Sequence, residues 1–113
     1  MKHEMKLNNN PFNSIKSGYK TIEMRLYDEK RRLINDGDII EFTNRETNEK
    51  IGVSVIKLHL FNNFKELYKQ FDKISLGYKD NDIANPNDMN KYYSKEEQQR
   101  YGVVGIEVML IKD

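Results

Sequence analysis

The sequence predicts an α+β fold: a small, mixed but mostly antiparallel β-barrel of about five or six strands with short flanking helices. Two observations carry this. Runs in which apolar and polar residues alternate, the mark of a strand with one buried face, are separated by turn residues. Between them lie three windows with helical spacing or capping signals, near residues 11–17, 63–71 and 94–100. The 113 residues suit one domain with one modest core, spanning 1–113.

Met1 to Leu7 alternates Met1, His3, Met5 and Leu7 against Lys2, Glu4 and Lys6, and reads as a strand. His3 shares the apolar parity, which favours a buried or barrel-mouth histidine over a metal ligand. Asn8-Asn9-Asn10-Pro11 starts a helix, because Asn can cap and Pro suits the first turn. Phe12 and Ile15 share its buried face, and Gly18 stops it. From Thr21 onward Ile22, Met24 and Leu26 alternate with Thr21, Glu23, Arg25 and Tyr27. This predicts a second strand with Glu23 and Arg25 on one face and Lys20 at its entrance.

Tyr27 to Ile34 reads as a helical turn, and Asn35-Asp36-Gly37-Asp38 as a tight turn. Ile39 to Thr43 is a strand, and NRETNEK, residues 44–50, a polar hairpin loop. Ile51 to Phe61 is the longest apolar strand, and its β-branched content suits the middle of the barrel. Gly52 marks a bulge or a close approach there. Phe64, Leu67, Tyr68 and Phe71 recur at helical spacing over 62–71. A packed amphipathic face explains these aromatics better than base stacking. Residues 72–91 lack a period and carry Asp80, Asp82 and Asp88. A loop of this length reads as a lid or variable insertion, with a short turn at 74–76. Ser94 and Glu97 form a capping box for the last helix. Val103 to Ile111 is the closing strand, with Glu107 inside it.

Composition narrows the functional classes. The absence of cysteine excludes disulfides and thiol or cysteine-based zinc chemistry. His3 and His59 are the only two histidines and form no HxxxH pair, so no metal site is expected. No cofactor is implied. No apolar run approaches a membrane span, and MKHEMKL lacks a signal-peptide core, so the expected compartment is the cytoplasm. The net charge of +1 is not that of a strongly basic nucleic-acid binder. Charge is concentrated locally instead. Lys16 to Arg32 holds six cations against three anions. Beside a cleft such a cluster attracts phosphate; on an open face it is only solvated charge. Glu23 between Lys20 and Arg25 should stay ionised. The plain reading of these three is a surface salt-bridge row of little energetic weight.

Three blocks, in this order, resemble the ASCH domain family. They are Gly18-Tyr19-Lys20-Thr21-Ile22-Glu23-Met24-Arg25, Gly37-Asp38-Ile39-Ile40-Glu41-Phe42 and Tyr101-Gly102-Val103-Val104-Gly105-Ile106-Glu107-Val108. The resemblance spans nearly the whole chain and implies a PUA-like barrel. It also implies RNA or nucleotide binding. The candidate ligand-binding residues are Lys6, Lys20, Glu23, Arg25, Tyr27, Arg31 and Arg32, with Tyr19, Tyr27 and Tyr93 as stacking candidates. An enzymatic reading comes with the resemblance too. Small bacterial relatives hydrolyse the acetyl amide of N4-acetylcytidine with a Lys, a Thr three residues later and a downstream Glu. The Lys corresponds to Lys20. Glu23 stands where the Thr would be, and Glu66, Glu97 and Glu107 remain open for the downstream Glu. If the protein is an enzyme, Lys20 and Glu23 are the catalytic candidates, with Glu23 activating water as a general base. The resemblance also admits a nuclease. A protein-interaction module completes the range of functional classes.

Overall fold

The computed structural model describes residues 1–111. Its strands are β1 (Lys2–Leu7), β2 (Ile22–Leu26), β3 (Ile39–Asn44), β4 (Lys50–Phe61) and β5 (Val103–Leu110). Its α-helices are α1 (Asn9–Lys16), α2 (Phe64–Gln70) and α3 (Lys95–Tyr101). The strands form one sheet in the order β1-β3-β4-β5-β2. β1 runs parallel to β3, and every other pair is antiparallel. The sheet curls into a half-barrel of the PUA-like kind. β4 occupies the middle, as its composition predicts.

The expected barrel does not close. β1 and β2 are the two edges of the sheet, and a side chain crosses between them: Arg25 Nη2 donates to the Lys6 carbonyl at 3.0 Å. The pairing of β4 with β5 shifts register between Val55 and Lys57, not at Gly52. Gly52 lies in regular pairing opposite Glu41.

Two hydrophobic cores result. The first gathers Met5, Leu7, Phe12, Ile15, Ile40, Phe42, Val53, Val55, Val104 and Ile106 with their neighbours. The second joins Ile22, Met24 and Leu26 of β2 to Phe64 and Leu67 of α2 and to Leu76, Met89 and Val103. Val103 and Val104 are adjacent in β5 yet belong to different cores, so this strand is buried on both faces. Gly105 lets α2 sit close to the sheet. A Cβ there would lie 3.0 Å from Ile22 Cγ2 and 3.4 Å from Leu67 Cδ1.

Burial on both faces of β2 departs from simple alternation. The period predicts that β2 buries only Ile22, Met24 and Leu26. In the fold Glu23 is also buried and Arg25 nearly so. In register Glu23 lies opposite Ile106 and Arg25 opposite Val104, which puts both charges on the first-core face. They form no surface row.

Residues 72–91 are packed against α2 rather than unstructured. Thr21 and Ile22 both donate their backbone N–H to the Ser75 carbonyl, each at 3.0 Å. A 3₁₀ helix follows over Pro86–Lys91, where Pro opens the helix and the Asn85 side chain accepts from the Asn87 N–H. The Ser94–Glu97 capping box is present at the start of α3. The turn after β2 tightens to a 3₁₀ helix over Arg31–Leu33.

Candidate functional site

A cleft of about 430 Å³ opens along the seam between the two cores. One wall comes from β1 and α1, through Lys6, Leu7, Pro11 and Ser14. The opposite wall comes from the packed 76–93 region, through Leu76, Tyr78, Met89 and Tyr93. The floor is β2.

On that floor Glu23 is held from both sides. Lys20 Nζ lies 3.2 Å from Glu23 Oε1, and Arg25 Nε donates to Oε2 at 2.7 Å. The side chains of Lys20, Glu23 and Arg25 are 10%, 5% and 11% exposed. Burial pushes the Glu23 carboxyl up. The charges of Lys20 and Arg25 and the hydrogen bonds from both outweigh it and hold the carboxyl below its usual range. Burial likewise disfavours the Arg25 charge, but Glu23, with Tyr93 and Asp28 adding to it, more than compensates. The group is therefore an ionised triad with both carboxylate oxygens occupied.

Sequence and packing explain its rigidity. Lys20 leaves the turn after α1, and its stem lies against Gly77. A Cβ on Gly77 would approach Lys20 Cδ to 2.9 Å, and its φ of +104° is one that side chains rarely adopt. Gly77 thus seats the lysine. The Lys6 carbonyl fixes the other end of Arg25.

The tyrosines of the far wall are linked. Tyr68 and Tyr78 share a hydroxyl contact of 2.8 Å, and Tyr78 Oη donates to Asp88 Oδ2 at 2.7 Å. Burial, reinforced by those two partners, raises the Tyr78 phenol well above its ordinary value. Burial also raises Tyr93, although the Arg25 charge works against it. The Tyr93 ring stacks on Phe64 at 6.1 Å.

The residues singled out in the sequence divide into two groups. Lys6, Lys20, Glu23, Arg25 and Tyr93 line the cleft. Tyr27 and Arg32 do not; the Arg32 guanidinium sits 4.4 Å above the Tyr27 ring, away from the cleft. Arg31 pairs with Asp28 at 3.1 Å and lines a separate groove. Tyr19 is tied by its hydroxyl to Ser14 at 2.7 Å. None of Glu66, Glu97 and Glu107 lines the cleft. Glu97 caps α3, and Glu107 meets His59 Nε2 at 2.9 Å. The second carboxylate of the cleft is Asp88. Sequence reasoning missed Arg45, Tyr68, Tyr78, Asp88, Lys91 and Tyr92 as lining residues. Asn85-Pro86 was a readable helix start that could have drawn attention to Asp88.

A family model described as ASCH domain matches residues 5–112. The chain belongs to the ASCH domain family. Two solved structures resemble it along their whole length. The crystal structure of hypothetical protein PH0355 is 36% identical, covers 98% of this chain and 100% of its own, and has a TM-score of 0.79. The solution structure of protein PF0455 from Pyrococcus furiosus is 32% identical, with 100% of each chain covered and a TM-score of 0.72. Among curated proteins none matches the chain. In this ASCH domain the stretch from Gly18 to Arg25 supplies all three members of the buried triad. Among the described residues no helix is long and apolar enough to cross a membrane.

Proposed function

We propose that this ASCH protein binds RNA or a nucleotide in the cleft above Lys20, Glu23 and Arg25. The observation that carries the reading is the charge of the lining. Five cations, Lys6, Lys20, Arg25, Arg45 and Lys91, face two carboxylates, Glu23 and Asp88. The whole chain carries only +1, so the positive field is focused where a concave, half-enclosed surface exists. The volume suits a small ligand. Tyr92, which is 61% exposed, and Tyr93 give the mouth aromatic faces for a base.

Glu23 serves this function by ordering cations. Alone, Lys20 and Arg25 would repel each other and adopt several rotamers. Clamped on one carboxylate, they present fixed N–H donors to an incoming phosphate. The same geometry makes Glu23 a weak general base, because a carboxylate below its usual pKa range takes up a proton reluctantly. Turnover of N4-acetylcytidine by the unmodified protein is therefore not expected.

Titration of a single-stranded RNA oligomer at several salt concentrations tests the proposal. Affinity should fall as salt rises, because phosphate neutralisation releases counterions. The exposed rim variants Lys6→Ala and Arg45→Ala should each weaken binding and lower the steepness of the salt dependence by about 0.7. Absence of binding at low salt, or binding that Lys20→Ala and Arg25→Ala leave unchanged, would overturn it.

A further inference from the structure

The two carboxylates of the cleft are held in opposite ways. Glu23 has both oxygens occupied by cations. Asp88 forms no ion pair among the described residues, although five cations line the same cleft. Its partner is a phenol. Tyr78 Oη donates to Asp88 Oδ2 at 2.7 Å, and Oδ1 accepts from no described side chain. The direction of the whole chain of hydrogen bonds follows. A carboxylate at neutral pH only accepts. Tyr78 has one hydroxyl hydrogen and gives it to Asp88; the Asn85 carbonyl, at 3.4 Å, is the weaker acceptor. Tyr68, 2.8 Å from Tyr78, therefore donates to the Tyr78 oxygen. Both hydroxyl hydrogens are spent inside the wall. This stretch of wall turns lone pairs to a ligand, centred on Asp88, whereas the floor turns the N–H donors of Lys20 and Arg25.

The carboxylate also stands in a fixed relation to aromatic faces. Asp88 lies in the 3₁₀ turn Pro86–Lys91, and its N–H donates to the Asn85 carbonyl at 2.9 Å. Met89, the next residue, is buried in the second core. Its carbonyl accepts from the N–H of Tyr92 and from that of Tyr93, each at 3.1 Å. One buried residue thus anchors both the acceptor and the two rings against which a base can stack.

We infer that the base bound in the cleft is guanine, with Asp88 accepting from its N1–H and its N2 amino group. This rests on the nucleotide reading of the cleft and narrows it to one base. Of the four common bases, guanine alone carries two adjacent donors on its pairing edge. Adenine and cytosine set a ring-nitrogen acceptor beside the amino donor, and that lone pair repels a carboxylate. Uracil flanks its one N–H with two carbonyl oxygens. Asp88 Oδ2 has room for a second bond beside the one from Tyr78, because each carboxylate oxygen offers two lone pairs. A base that leaves the carboxylate unpaired in the closed site loses more than a contact, and this is what makes such a site selective.

Calorimetric titration of GMP, IMP, AMP, CMP and UMP tests this on the unmodified protein. All five carry the same phosphate, so differences among them report the base. GMP should bind about tenfold or more tightly than AMP, CMP and UMP. IMP, which keeps N1–H and lacks the N2 amino group, should fall between. Asp88→Asn supplies the second readout. The amide keeps the size and one acceptor and adds a donor. The GMP advantage should vanish in the variant, and XMP, with a carbonyl at C2, should gain about tenfold relative to GMP. A merely loosened wall would weaken every nucleotide and produce no such reversal. Should the variant fail to fold, as circular dichroism would reveal, the ranking on the unmodified protein decides alone. Equal affinity for GMP and AMP, or a GMP preference that survives Asp88→Asn, overturns the guanine inference and leaves the cleft reading standing. No binding of any mononucleotide also overturns it, and the RNA titration then decides the cleft reading by itself.

Discussion

The two cores of this protein are built by different means. The first is made of regular strands and one helix, and its residues follow the period of their elements: Met5 and Leu7, Phe12 and Ile15, Ile40 and Phe42, Val53 and Val55. The second depends on an irregular segment. Leu76 and Met89 reach it from turns that side chains tie in place. Lys73 Nζ donates to the carbonyls of Asp80 and Asp82, each at 2.7 Å, and Tyr78 to Asp88. The cleft lies between them, with a wall from each. A wall of regular elements and the β2 floor carry Lys6, Lys20 and Arg25, while an irregular wall supplies the tyrosines. Loops placed on a rigid scaffold are a common way to vary ligand choice without risking the fold.

The largest expected contrast concerns truncation in each core. Phe42→Ala should cost about 3–5 kcal/mol, because a fully buried ring leaves a cavity among regular strands that cannot collapse. Leu76→Ala should cost less, about 2 kcal/mol, yet weaken ligand binding more, because it loosens the tyrosine wall. Urea unfolding and RNA titration of both variants measure this. A greater stability loss in Leu76→Ala than in Phe42→Ala would erase the distinction between the cores.

Next in size is the charged floor between them. Glu23→Gln leaves two cations largely buried without their counter-ion, which should cost about 3 kcal/mol in thermal unfolding. It should also change nucleotide affinity, since a local negative charge is gone. The pH dependence has a definite sign. Glu23 titrates lower in the folded protein than in the unfolded chain. Its contribution is therefore complete above the ordinary carboxylate range and is lost as pH falls through the lowered folded value. A variant as stable as the parent at neutral pH would contradict the account of the floor.

Gly77→Ala probes how the irregular wall grips the charged floor. A side chain at φ +104° and a contact of 2.9 Å with Lys20 both oppose it. The expected loss is about 1–2 kcal/mol, accompanied by weaker RNA binding as Lys20 is displaced. Unchanged affinity would show that Gly77 does not seat the lysine.

The smallest effect belongs to the rim of the first core. Asp38 accepts from the Asn35 N–H at 2.9 Å, meets His3 Nε2 at 2.8 Å and the N-terminal ammonium at 3.2 Å. The His3 hydrogen bond above all, with the Asn35 N–H and the terminus, lowers its pKa from 3.8 to about 2. Its contribution is complete above 3.8 and fades toward pH 2. Asp38→Asn should flatten the acid limb of the stability curve in that window. An unaltered limb would place the acid sensitivity elsewhere.

What was legible in the sequence follows the same division. Strand and helix positions in the first core came directly from period, and the ASCH resemblance came from the blocks at Gly18, Gly37 and Tyr101. Spacing put Glu23 and Arg25 on one face with Lys20 at its entrance and read them as a surface row; the resemblance made them ligand candidates. Their burial was not legible, because alternation predicts one covered face and cannot reveal that the sheet turns the other toward the first core. The open edge between β1 and β2 was hidden for a similar reason: closure depends on pairing between strands far apart in sequence. Tyr68, Tyr78 and Asp88 converge only through the turns of 73–91, whose shape depends on side-chain hydrogen bonds rather than on any repeat. Tyr27 and Arg32 looked like site residues because they lie close to the motif in sequence. The turn after β2 carries them to another face.

The central claim is that Glu23 is an ionised clamp for two cations and not a proton acceptor. Carbon-13 NMR of the Glu23 carboxyl across an acid titration of the folded protein measures this directly. The account predicts a midpoint below the ordinary carboxylate range, with the resonance flat through neutrality. A midpoint raised toward neutral pH, as a working general base would show, contradicts it.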